Sequence, residues 1–321
     1  MAGPAAALRN FRNTILALEK QRKSRIYSIV HTGGNQHICR PEFSMALALR
    51  EKFRGIKTLE ILIHSTGGHS SVSFRLAQYF RRHCKQLNIL VPIMAKSAAT
   101  LLSLNADQIF MGEFAELGPL DTQLKDDLDK GGGYFSPLDE FRSVGFLREH
   151  AAELLDYLSF TLEERGMSVK QALHEAIPGV VGMMRPLYGQ VDPSKLGSYR
   201  RALAEGEEYA KRLLSTRMDG DDAEELAEKL VWDYPAHDFV IDSTEALSIG
   251  LPVERFPVAQ EKSLINALFG LAEYELPFLG FTMPQSQKSR RPTSRQRTPK
   301  QKSAPRKLPA SAQAGPRVVA S

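Results

Sequence analysis

Between Arg25 and Met111, short apolar runs alternate with helical stretches, and that alternation leaves few folds open. RIYSIVH (25–31), TLEILIH (58–64), the run 88–94 and the run 107–111 are β-branched or continuously apolar, as buried strands are. The stretch 41–53 carries Phe43, Leu47 and Leu49 on one helical side, and GGHSSVSFRLAQYFRRHC turns Val72, Leu76, Tyr79 and Phe80 inward. A small-residue helix over 97–105 completes the series. Strands alternating with helices in this way predict βαβ units on a mostly parallel sheet, an α/β fold.

The pattern divides the chain into four parts. Residues 1–24 form an N-terminal helix, with Leu8, Phe11, Ile15 and Leu18 at helical spacing rather than in the unbroken apolar core of a secretory signal. Residues 25–260 form the main domain. Its stretch 138–216 is a helical region, with apolar repeats at Leu147, Ala151, Leu154, Leu158 and Leu162, then at Leu196, Tyr199, Leu203, Tyr209 and Leu213. FVID (239–242) reads as a strand, followed by a short helix capped at Asp242 or Ser243 and stopped at Gly250. Residues 261–283 are apolar but carry Glu273, Glu275 and a proline, so they read as a docked or interfacial segment and not as a membrane span.

Charge separates the last part from the rest. Residues 284–321 hold ten lysines and arginines and no acid, leaving 32 basic against 37 acidic residues before them. Rich in Ser, Pro, Gln and Thr, this tail buries too little apolar surface to offset its ordering entropy, and a disordered basic tail is expected. A solubilising tail and an arm for nucleic acid or an acidic partner are both open, because such a segment binds phosphate non-specifically. Cys39 and Cys84 show no CxxC or Cys/His spacing, which argues against a disulfide framework or a zinc site and fits a reducing cytoplasm.

Two strand-to-helix junctions can carry chemistry. In IHSTGGHSS (63–71), Gly67 and Gly68 let the backbone turn sharply and present N–H groups at a helix start, an arrangement that holds an oxyanion or a phosphate. In VPIMAKSAATLL (91–102), Ser97 stands at an N-cap position, where its side chain can accept a backbone N–H. Capping accounts for a serine but not for Ala98, Ala99 and Thr100 behind it, which permit another backbone to approach closely. A nucleophilic Ser97 there has the Ala98 N–H beside it and Gly68 opposite, two donors for a tetrahedral oxyanion.

IHSTGG, VPIMAKSAATLL and ADQIFMGEFAELGPLD together resemble the superfamily of the Clp peptidase and signal peptide peptidase A. The branch most similar is the serine dehydrogenase proteinase family, with YPAHDFVIDSTEALSIGLPV similar to that branch's terminal strand–helix segment. The resemblance runs over about 25–255, strongest at 58–123. It implies a Clp/crotonase-like fold, a serine endopeptidase acting on a peptide or protein substrate, a homo-oligomer, Ser97 as nucleophile, and an oxyanion hole from the Gly67–Gly68 turn and Ala98.

The general base is where the sequence departs from the pattern. Leu120-Asp121-Thr122-Gln123 has no histidine where the Clp peptidase has one, and Ser136-Pro137-Leu138-Asp139-Glu140 has no lysine where the signal peptide peptidases have theirs. Lys125 and Lys130, in a charged glycine-rich loop, and His237, ahead of FVID, are the candidates. Lys96 is expected to point away from the nucleophile, Asp121 to fix its loop by hydrogen bonds to backbone, and His69 to line the site. No GxGxxG fingerprint occurs, so no dinucleotide, and no other cofactor or metal, is expected. Two other classes stay open: a catalytically silent scaffold that keeps the fold without a base, and an acyl-CoA-type crotonase that uses the hole without a nucleophile.

Overall fold

A computed structural model describes residues 3–125 and 134–283; the basic tail, Lys130 and the side chain of Lys125 lie outside what it describes. The strands are β1 (Arg25–Val30), β2 (Thr58–His64), β3 (Gln86–Val91), β4 (Met94–Ala95), β5 (Gln108–Met111), β6 (Glu116–Leu117), β7 (Leu124–Lys125), β8 (Tyr134–Phe135), β9 (Val253–Arg255) and β10 (Phe278–Phe281). The helices are α1 (Pro4–Arg22), α2 (Arg40–Ala48), α3 (Ser70–Arg82), α4 (Ala98–Ser103), α5 (Pro137–Glu164), α6 (Val169–Tyr188), α7 (Pro193–Leu214), α8 (Gly220–Trp232), α9 (Ser243–Ser248) and α10 (Val258–Ala272).

Six strands form one sheet in the order β10-β1-β2-β3-β5-β9. All neighbours pair in parallel except β10, which runs antiparallel to β1 at one edge. This is the mostly parallel α/β arrangement that the alternation predicts. Both faces are covered, which is why the central strands read as unbroken apolar runs. One face carries Ile61, Ile63, Leu76, Phe80 and Ile89, and the other carries Leu62 and Leu90 against α1 and α10.

Several details differ from the expectation. The strand read over 88–94 splits into β3 and β4, and β4 leaves the main sheet to pair with β6. FVID is not a strand of the sheet: Ile241 makes one antiparallel bridge to Leu117, while Phe239 and Val240 are exposed. The sheet ends on β9 instead, because Asp242 caps α9 immediately and leaves FVID no length to extend. On α2, Leu47 is exposed, and the buried side holds Ala46 together with a carboxylate, Glu42. The segment 261–283 supplies part of α10 and β10, which pack on α1 and β1; among the described residues no helix is long and apolar enough to cross a membrane.

Candidate active site

Ser97 sits between β4 and α4 with φ 51° and ψ −121°, a positive-φ conformation that disfavours a side chain. An N-cap serine is extended and lends its oxygen to the helix amides; Ser97 makes no such bond. Its hydroxyl has no hydrogen-bond partner among the described residues, and the residue lines a cleft of about 590 Å³. The turn is anchored from behind: Thr100 Oγ1 donates to Ala95 O at 2.7 Å and accepts the Gly118 N–H at 3.0 Å. A half-buried serine held in strain at the edge of a cleft, with no capping bond, is shaped for something other than capping.

The glycine turn meets this serine directly. Ser65 pairs with Ala95 in a parallel bridge, bringing the end of β2 against β4. At Gly67 (φ 117°) an added Cβ would lie 2.8 Å from Ser97 Cβ and 2.9 Å from Lys96 O, so only glycine lets the two turns touch. At Gly68 (φ 145°) it would lie 2.2 Å from Ile38 O. Ile38 N donates to Gly67 O at 2.7 Å, and His69 N to Ile38 O at 2.8 Å. In a trans peptide the N–H points opposite to the preceding C=O, so the Gly68 N–H faces away from Ile38, on the cleft side. Neither the Gly68 nor the Ala98 N–H has a partner among the described residues, and both residues line the cleft with Ser97. The Gly67 N–H, by contrast, is donated to Ser65 Oγ at 3.1 Å.

His237 lines the same cleft, and its Nδ1 lies 2.8 Å from Asp121 Oδ1. Asp121 is buried and also accepts from Ser136 Oγ at 2.7 Å and Gln123 Nε2 at 3.2 Å. Burial alone would raise its pKa, but the hydrogen bond and charge of His237, with the hydrogen bonds of Ser136 and Gln123, outweigh burial and hold it below the usual carboxylate value. An ionised carboxylate only accepts, so Nδ1 of His237 is the donor in this bond, and in the neutral ring the lone pair is then on Nε2. Sequence reading gave Asp121 a purely structural part; its bonds run to side chains instead, and the histidine is one of them.

The segment that carries His237 is fastened at several points. Lys96 Nζ donates to Asp238 O at 3.0 Å and lies 3.8 Å from Glu116. Lys96 therefore lines the cleft wall beside Ser97, with its ammonium occupied by the His237 segment. From α5, the Arg142 guanidinium donates to the carbonyls of Trp232, Tyr234 and Pro235. Leu117 and Ile241 exchange backbone hydrogen bonds at 2.9 and 3.1 Å. His37, His69, Leu101, Leu120, Tyr134 and Gly206 also line the cleft. Among the described residues no group of three or more His, Cys, Asp or Glu could hold a metal ion.

Comparison with known proteins bears out the resemblance read from the motifs. A family model described as ClpP-like SDH-type serine proteinase matches residues 5–128, a segment that contains Gly68, Ser97 and Asp121 and stops short of His237. An uncharacterized protein of Methanocaldococcus jannaschii is 27% identical over 198 residues, covering 62% of this chain and 54% of that protein. A second uncharacterized protein of the same organism is 32% identical over 66 residues, 21% of this chain and 23% of its own length. The chain thus spans about half, or less, of the curated relatives it matches. A solved mutant of a membrane-bound stomatin-specific protease shares 14% identity, with 75% of this chain and 84% of that one covered, at a TM-score of 0.39.

Proposed function

We propose that this chain is a serine endopeptidase that hydrolyses peptide bonds of a peptide or protein substrate through an acyl-enzyme on Ser97. The observation that carries the reading is the bond between Asp121 and His237, a histidine that lines the same cleft as Ser97. His237 Nε2 takes the Ser97 proton as Oγ attacks the carbonyl carbon, and Asp121 holds the tautomer and stabilises the imidazolium that forms. The tetrahedral oxyanion is received by the Gly68 and Ala98 N–H groups. His237 then passes its proton to the leaving amine, and water, activated by the same nitrogen, hydrolyses the ester. Gly67 contributes its close approach to Ser97, since its own N–H is already bonded. Lys125 and Lys130 have no step in this mechanism.

A fluorophosphonate probe tests it. Ser97 is expected to be labelled in the folded wild type, and Ser97→Ala to abolish both labelling and peptide hydrolysis. An unlabelled, folded wild type would sink the reading in favour of the silent scaffold.

A further inference from the structure

Beneath the glycine turn lies a second serine–histidine–carboxylate array, and the mechanism above does not use it. Ser65 is 1% exposed, and its Oγ lies 2.9 Å from His31 Nδ1. The other ring nitrogen of His31 lies 3.4 Å from Glu42 Oε1, with both side chains at most a tenth exposed. Glu42 Oε2 accepts the Cys39 N–H at 2.7 Å. Resting on the proposed peptidase reading, we propose that Ser65, His31 and Glu42 are positioning residues that hold the Gly67–Gly68 turn in the orientation the oxyanion needs.

The argument is one of connectivity. Starting at the Gly67 N–H, the hydrogen bonds run to Ser65 Oγ, His31, Glu42 and the Cys39 N–H. The Ile38 N–H, one residue back along the chain, closes the ring on the Gly67 carbonyl. Both polar groups of Gly67 are thus fixed by a single loop of bonds, and the Gly67 carbonyl in turn fixes which way the Gly68 N–H points. Donor and acceptor roles agree all the way round. Glu42 is held ionised because hydrogen bonds from His31 and Cys39 outweigh the effect of its burial, so it only accepts. His31 Nε2 is then the donor, and in the neutral ring Nδ1, at 2.9 Å, accepts the Ser65 hydroxyl proton in preference to the Gly67 carbonyl at 3.4 Å, leaving a Ser65 lone pair for the Gly67 N–H. The array cannot be a second nucleophilic site, because Ser65 is closed to solvent and its oxygen is already taken by Gly67. Glycine at 67 and 68 leaves the turn free to adopt other conformations, and this ring removes that freedom.

Amide hydrogen exchange in a Ser97→Ala background reads the turn without reference to catalysis. Ser65→Ala and His31→Leu are expected to speed exchange of the Gly67 amide about tenfold or more, while His31→Asn, which keeps an acceptor for the Ser65 hydroxyl, restores protection. In the Ser97 protein the same two variants should slow fluorophosphonate labelling and lower kcat on an activated nitrophenyl ester with KM nearly unchanged, since the hole acts in the transition state. Should either variant fail to fold, the pairing of wild type with His31→Asn against the surviving variant still decides. Gly67 protection that is equal in every folded variant would overturn the proposal. A wild type silent to the probe would remove the peptidase reading, and the exchange experiment would still judge the relay.

Discussion

Asp121 Oδ1 and His237 Nδ1 lie 2.8 Å apart although 116 residues separate them in the chain. The first follows the Leu-Gly-Pro turn after β6, and the second sits in the irregular stretch after α8. The whole helical region therefore lies between the two, and its far end is brought back to the sheet by Arg142, Lys96 and the bridge at Ile241. This return explains how a chain without histidine after the nucleophile's neighbouring strand can still present one to the cleft.

If His237 is the base and Asp121 its orienter, Asp121→Asn keeps the shape and loses the tautomer. Fluorophosphonate labelling of Ser97 is expected to slow by about 10²–10⁴-fold in Asp121→Asn and in His237→Ala. The double variant should be little worse than the single ones, because the two act as a unit. Lys125→Ala should label at the wild-type rate. A Lys125 variant as slow as His237→Ala would reassign the base.

Most of the sheet and both turns were legible from sequence, since parallel strands buried on both faces announce themselves as apolar runs and Gly67, Gly68 and Ser97 stand at their ends. The contact between Asp121 and His237 was not, because the two meet only after the helical region has folded back, and no local period encodes that closure. Glu42 was hidden for a different reason. A helix reading sorts apolar residues inward, and α2 instead buries a carboxylate whose partners, His31 and the Cys39 amide, become visible only in three dimensions. FVID failed because strand propensity is a weak prior where the chain must cap a helix at once.

Gly68→Ala should be destabilising well beyond an ordinary surface change. The new Cβ would meet Ile38 backbone atoms at 2.2 to 2.9 Å, and backbone cannot swing aside as a side-chain end can. Strain at positive φ and overpacking together suggest a loss on the order of 2–4 kcal/mol. Gly145→Ala, inside α5 with open space around it, should instead be neutral or stabilising by up to about 1 kcal/mol. Urea unfolding of the two variants checks both signs, and a neutral Gly68→Ala would mean that the turn is not clamped by Ile38.

His64 gives the fold a pH dependence of definite sign. Burial first, and repulsion from His31 second, push its pKa down to about 4, and its Nδ1 is buried without a partner. In the unfolded chain a histidine titrates near about 6.5. Between those values the unfolded state binds the extra proton and the native state does not, so stability rises with pH across the window. The contribution is full above about pH 6.5 and is lost as pH falls toward about 4, with a slope of at most about 1.4 kcal/mol per pH unit. In His64→Gln the urea midpoint should vary less between pH 6.5 and 4.5 than in the wild type. An equal slope in both proteins would assign the dependence to other groups.

The helices α5 and α6 present more apolar surface than their mutual packing uses. On α6, Ala172, Ala176, Val180 and Met184 are buried, while the adjoining stripe Val169, Leu173, Ile177 and Val181 is 38–59% exposed. On α5, Phe146, Tyr157 and Phe160 fall on one side of the helix and are 61–68% exposed. Clustered exposed apolar side chains of this kind are suited to an interface, and self-association is their simplest use because one face can serve both copies. We therefore expect a homo-oligomer at micromolar concentration. The double variant Phe160→Asp/Ile177→Asp should dissociate it, since each charge would have to be buried unpaired in the interface. It should leave the monomer folded, because both positions are already exposed. Light scattering of wild type and variant, alongside circular dichroism, reads both outcomes. A monomeric wild type, or a variant whose mass is unchanged, would rule out this face as the contact.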